Sequence, residues 1–128
     1  MRAVKGKNTK PELIVRRILD NLYFKYKVHI GTLPGCPDIV FAYRKKVLFV
    51  HGCFWHRHSC KRGRKMPVSR IDYWRTKLER NKKRDLMIRR KLRMIGWQYF
   101  IIWECQTSSK NISKLTKRIT KFLRSKKA

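Results

Sequence analysis

Acidic residues are scarce in this chain: seven Asp and Glu stand against 35 Lys and Arg in 128 residues, for a formal charge of +28. A field of that sign repels cationic partners and calls for a polyanion, leaving DNA, RNA or an anionic membrane surface. Long hydrophobic runs are absent too. The apolar segments DIVFAY (38–43), VLFV (47–50) and YFIIW (99–103) are strand-sized, well short of the roughly 20 residues that cross a bilayer, so the membrane reading loses ground. The first residues carry no apolar signal-peptide core, and a cytoplasmic location is expected. Cysteine is limited to four, and in a reducing compartment so few thiols are better suited to metal than to disulfides. Hydrophobic content of 42% suits one domain with a modest core, residues 1–128, of which about 124–128 read as a disordered basic tail.

Local signals order the chain. Thr9-Lys10-Pro11-Glu12 reads as a helix start, with Thr9 as N-cap, Pro11 in the first turn and Glu12 completing a capping box, and the helix runs to about Leu22. Phe24, Tyr26 and Val28 alternate with Lys25, Lys27 and His29 in the two-residue period of a strand. Gly31 to Pro37 must turn, and Asp38–Tyr43 and Lys46–His51 form a hairpin around Arg44-Lys45. After a basic loop from Lys61 to Pro67, Ser69-Arg70-Ile71-Asp72 is a second capping signal. It opens a long helix to about Ile95 that stops at Gly96, with Asn81-Lys82-Lys83-Arg84 as a candidate break. Trp97–Trp103 reads as a central strand covered on both faces. Ile112, Leu115, Ile119, Phe122 and Leu123 mark a final amphipathic helix. The expected order is helix, three strands, helix, strand, helix.

Chemistry concentrates between His51 and Cys60, where three of the four histidines and two of the four cysteines fall. Cys53, His58 and Cys60, with Cys105 from beyond the last strand, make a Cys3His set suited to closed, tetrahedral, structural Zn²⁺; the plainer alternative is a group of unrelated small buried thiols. Cys36 is left over as a packed or incidental thiol. Asp38 opens an apolar strand, where a carboxylate either caps a turn or holds Mg²⁺ for attack on a phosphodiester. His51 and His56 flank the same loop. Each alone could be a satisfied loop histidine, but together they supply a base able to take a proton from water near neutral pH. Phe54 and Trp55 lie between the ligands and either pack in the core or stack and wedge against bases. Trp74 is open to the same two readings, and Trp97 and Trp103 read as core. The basic runs 82–84 and 89–91 are solvated helix faces with phosphate contact available to them.

On these residues the chain resembles the very-short-patch repair (Vsr) DNA mismatch endonucleases. The likeness rests on Met1-Arg2-Ala3-Val4, Thr9-Lys10-Pro11-Glu12, Leu33-Pro34-Gly35-Cys36-Pro37-Asp38, His51-Gly52-Cys53-Phe54-Trp55-His56, Tyr73-Trp74 and Gly96-Trp97 through Trp103-Glu104-Cys105. It implies an α/β fold of the restriction-endonuclease-like type, with a central mixed sheet flanked by helices and a structural zinc site. It also implies a nick 5′ to the thymine of a T:G mismatch, with catalytic Mg²⁺. Carried over by position, Asp38 is the Mg²⁺ carboxylate, assisted by the backbone carbonyl of Val50, where some relatives have Thr. His56 activates water, His51 sits at the scissile phosphate, and Glu12 supports the histidines, in competition with its capping role. Cys53, His58, Cys60 and Cys105 match the zinc set, and Phe54, Trp55, Trp74 and Met1 match the residues that wedge beside the mismatch.

The implied partner is double-stranded DNA with a T:G mismatch, with mismatch-repair proteins as candidate companions, and the protein is expected to act as a nucleoid-associated monomer. Longer relatives carry more residues before the position of Met1, so reduced affinity for DNA or reduced mismatch selectivity is expected here. Two rivals stay open. One is a related nicking nuclease for another DNA structure, and the other is a zinc-dependent, non-catalytic nucleic-acid-binding module.

Overall fold

The computed structural model describes residues 9–54, 56, 58, 60 and 63–125. Helix α1 (Lys10–Asn21) starts where Thr9 Oγ1 accepts the backbone N–H of Glu12 at 3.4 Å. Strands β1 (Lys27–Val28), β2 (Ile39–Phe41) and β3 (Lys46–His51) follow, then helix α2 (Ile71–Met94), strand β4 (Gln98–Trp103) and helix α3 (Ile112–Arg124). The strands form one mixed sheet in the order β1-β2-β3-β4, antiparallel except for the parallel pair β3 and β4. A parallel pair needs a crossover, and α2 supplies it.

Helices cover both faces. Val15, Ile18 and Leu19 of α1 and Leu115, Ile119 and Leu123 of α3 recur at helical spacing and pack on Ile39, Phe41, Leu48 and Ile102. On the other face Leu92 of α2 packs against Val40, Val47 and Phe49, with Ile88, Trp97, Tyr99 and Ile101 at the margin. The two-residue period of β3 decides which side chain meets which helix. Lys46, Leu48 and Val50 point toward α1 and α3, and Val47, Phe49 and His51 toward α2. No helix among the described residues is long and apolar enough to cross a membrane.

Buried Lys46 has a structural reason. Its Nζ donates to the carbonyls of Phe122 at 2.5 Å, Leu123 at 3.3 Å and Ser125 at 2.7 Å. These are carbonyls left over at the C-terminus of α3, where the helix dipole also favours a cation.

Several expectations need correction. The first strand is two residues long because Tyr23 and His29 take left-handed φ values of 63° and 51°, which breaks the extended run at both sides. The hairpin turns through a 3-10 segment, Ala42–Arg44, before Lys45 at φ 54°. Ser69 is not the cap of α2: Arg70 holds that place at φ 54° with no side-chain hydrogen bond. Asn81–Arg84 does not interrupt α2, since none of these residues removes a backbone donor. Strand β4 lies at the sheet edge and buries only Ile102 fully, so β2 and β3 are the enclosed strands. Cys36 is exposed, which leaves the incidental one of its two readings. Gly96 ends α2 as expected, at φ 81°.

Candidate active site and metal centre

The parallel register aligns His51 with Trp103. Cys53 and Cys105 each lie two residues beyond that pair, so the two strand ends deliver two thiols to one place. The loop after β3 returns with His58, whose N–H donates to the Cys53 carbonyl at 3.0 Å, and with Cys60. Ligand atoms of Cys53, His58, Cys60 and Cys105 all lie within 4.8 Å of one another. Burial pushes the Cys53 thiol up to about 12 and Cys105 upward, whereas a hydrogen bond with His58 draws Cys60 down to about 6. Holding all three as thiolates takes a nearby cation, and a soft, four-ligand set of this kind fits Zn²⁺. Gly63 belongs to the same turn, where any β-carbon would collide with the backbone of His58.

The expected catalytic residues separate into two adjoining groups. The first is Asp38 with Glu12 and His29, one ligand atom of each within 4.8 Å of the others. Asp38 Oδ2 accepts the N–H of Val50 at 2.7 Å. In an extended strand the N–H and C=O of one residue point to the same edge, so the Val50 carbonyl is directed to the side where Asp38 sits. Burial, aided by the charge of Glu12 and opposed by the Val50 hydrogen bond, lifts Asp38 to about 6. A buried and a half-buried carboxylate this close would be relieved by a divalent cation, and hard oxygen donors suit Mg²⁺. Glu12 serves two ends: its backbone joins the Thr9 cap while its carboxylate lies 2.8 Å from His29 Nε2 and 3.3 Å from Arg16.

The second group is His51, His56 and Asp85. His56 Nδ1 lies 2.5 Å from Asp85 Oδ2, and the His51 and His56 rings stack at 3.7 Å and 7°. A carboxylate can only accept, so Asp85 fixes the proton of His56 on Nδ1 and leaves the other ring nitrogen as a base. Burial, with the charge of His56, lowers His51 to about 3, so its ring is neutral, and its buried Nδ1 has no hydrogen-bond partner among the described residues. Trp103 walls the group edge-on to His51 at 5.3 Å and stacks on His58 at 4.3 Å, so it lines the site and does not simply fill the core. Trp97 packs at the α2 face, as a core residue should.

His29 and Asp85 were not among the expected site residues. His29 passed as the polar half of an alternating strand. Asp85 did leave a signal, because Leu78, Asp85 and Leu92 recur every seven residues as the buried positions of α2, and the middle one is charged where an apolar residue would serve packing. Of the aromatics, Phe54 meets Trp74 edge-on at 5.7 Å and Trp74 meets Tyr73 at 5.3 Å, which gathers two expected residues into one patch at the start of α2. Trp55 and Met1 lie outside the described residues.

The family model for the DNA mismatch endonuclease Vsr matches residues 1–62. A type II nicking enzyme, V.XorIIP of Xanthomonas oryzae, is 46% identical over 84% of this chain and 79% of its own length. The chain belongs to the Vsr family. Another nicking enzyme, V.NmeAIP of Neisseria meningitidis, is 37% identical over 97% of this chain and 86% of its own. The DNA mismatch endonuclease Vsr of Escherichia coli is 36% identical over 82% and 67%. The Vsr match to 1–62 takes in both carboxylates of the first group, both stacked histidines and three of the four Cys3His residues; Asp85 and Cys105 come from the part of the chain beyond it.

Proposed function

We propose that this Vsr-family chain is a Mg²⁺-dependent DNA endonuclease that nicks one strand 5′ to the thymine of a T:G mismatch. The observation that carries the chemistry is the His56–Asp85 pair, stacked on His51, whose neighbour Val50 donates its N–H to Asp38. Family membership and the relatives named as mismatch endonuclease and nicking enzymes support DNA as substrate and a nick as the outcome. The mixed sheet with α2 as its crossover supports a restriction-endonuclease-like core in one domain.

Asp38, with the Val50 carbonyl and with Glu12 behind it, would hold Mg²⁺. When bound, the ion would offset charge on the scissile phosphate and acidify an attacking water. His56 takes the proton of that water on the nitrogen that Asp85 leaves free. His51, being neutral, offers its unpartnered Nδ1 to the scissile phosphate as a hydrogen-bonding group, and its stacked ring fixes the plane of His56. Cys53, His58, Cys60 and Cys105 would hold structural Zn²⁺ and so tie the His56 loop to the end of β4. Phe54 and Trp74, rigid and partly exposed, suit wedging at a step whose pairing is already weakened, where unstacking costs least.

The test is nicking of matched T:G and T:A duplexes with each strand labelled in turn, by wild type and Asp38→Asn. One cut 5′ to the mismatched thymine, dependent on Mg²⁺ and lost in the variant while binding persists, is expected. Equal cutting of both duplexes would favour a nuclease for another DNA structure. Binding without Mg²⁺-dependent nicking would favour a non-catalytic module.

A further inference from the structure

Beside the His56–Asp85 pair is a small cavity of about 180 Å³ whose lining includes Lys82, Asp85 and Arg89 of α2 on one side and His56, His58 and Trp103 on the other. Helix α2 builds one wall. Lys82, Asp85 and Arg89 stand at i, i+3 and i+7, neighbouring positions on one helical face, so the carboxylate that orients His56 is bracketed by two cations. Arg89 is near enough for its charge to favour the Asp85 carboxylate, yet no hydrogen bond joins the two, and its Nε is buried and hydrogen-bonded to nothing among the described residues. A half-buried guanidinium with an unused donor, in a chain so rich in basic groups that water-exposed positions abound, is costly without an anionic partner. A second cation on the same wall raises that cost, and a bound anion would remove it.

We propose that Arg89, assisted by Lys82, binds the nonbridging oxygens of one backbone phosphate of the nicked strand, at the scissile position or a direct neighbour. The proposal rests on the endonuclease reading and adds a phosphate subsite to it. The planar fork of guanidinium matches two oxygens of one phosphate, which a lysine ammonium does not. Its place on the face that carries Asp85 would register the strand against His56, so that the water and the phosphorus meet at the right distance.

The test reads binding and needs no cleavage. Duplexes carrying a single neutral methylphosphonate, at the scissile phosphate or at either flanking phosphate, are titrated by fluorescence anisotropy without added Mg²⁺ against wild type, Arg89→Ala and Arg89→Lys. Arg89→Ala should weaken binding of the all-phosphate duplex about tenfold, and Arg89→Lys should recover part of that. At one of the three positions the methylphosphonate should abolish the difference between wild type and Arg89→Ala. Unchanged binding by Arg89→Ala, or losses that simply add at all three positions, would overturn the proposal. Melting temperature and zinc content identify a variant that fails to fold, and Arg89→Lys keeps the test decisive in that event, since loss of the coupling at every position with normal folding sinks the idea. Nicking by His56→Ala is assayed in parallel: wild-type nicking there refutes the endonuclease mechanism, whatever Arg89 binds.

Discussion

Replacing Asp85 by Asn changes one charge next to His56 and almost no volume. The carboxylate can only accept, so it holds the His56 proton on Nδ1 at 2.5 Å. An amide can turn either its oxygen or its NH2 toward the ring, and in the second case the ring proton moves to the nitrogen needed as base. Removal of an oriented, charged partner from a general-base histidine is expected to lower the single-turnover nicking rate by about 10²–10⁴-fold with little change in DNA affinity. Stability carries a second signature. Burial alone would raise the Asp85 pKa, but the His56 hydrogen bond and charge, with Arg89 nearby, outweigh it and leave it below the ordinary carboxylate value. A depressed carboxylate stabilises the fold above its unfolded pKa and loses that contribution as pH falls through its folded pKa. The Asn variant should therefore melt below wild type at neutral pH, with the gap closing below about pH 4. Rapid-quench nicking of a labelled T:G duplex with enzyme in excess measures the first effect, and melts across pH the second. A rate within threefold of wild type, or a loss of binding equal to the loss of rate, would refute the orienting role.

Asp38 has the opposite sign: raised to about 6 by burial and then by Glu12 against the Val50 hydrogen bond, it favours the folded state as pH falls toward that value. Relative to Asp38→Asn, wild-type melting without divalent cations should improve from about pH 7.5 to 5.5, and Mg²⁺ at about pH 7.5 should stabilise wild type alone; equal responses would detach Asp38 from metal. Cys105→Ser should lower bound zinc below one per chain and cost melting temperature, checked by elemental analysis and calorimetry, because it frees the loop from β4. Lys46→Met leaves the carbonyls at the end of α3 without their donor and should destabilise by about 1–3 kcal/mol in urea unfolding, while the nicking rate of folded enzyme holds; a neutral result would make the buried ammonium incidental.

Legibility followed the range of the interaction. Strand β3 was readable to the residue because its apolar run is bounded by charge on one side and by Gly52 on the other. Thr9 and Gly96 declared the ends of α1 and α2 through contacts within a few residues. Ser69 misled because Arg70 entered the left-handed region, a choice no local preference announces. The Cys3His set was visible as residue types, but what places Cys105 beside Cys53 is the parallel register of two strands separated by a 24-residue helix. Pairing of His56 with Asp85, and of Glu12 with His29, depends on how whole helices dock. A sequence pattern can flag a charged residue in a buried period, as at Leu78-Asp85-Leu92, without naming its partner.

Strand β3 has a job at each end: Lys46 caps α3 on one face of the sheet, and His51 meets His56 and Asp85 on the other. An odd count of peptide steps between them is what sends those two side chains to opposite faces. Inserting or deleting a single residue anywhere in 47–50 would therefore exchange every side chain beyond the change, moving His51 toward α1 and α3 or stranding Lys46 against α2. Length variation in this segment is barred by geometry even where any individual apolar side chain could be exchanged for another, which makes β3 a fixed ruler for this fold: its letters can drift, but its length cannot.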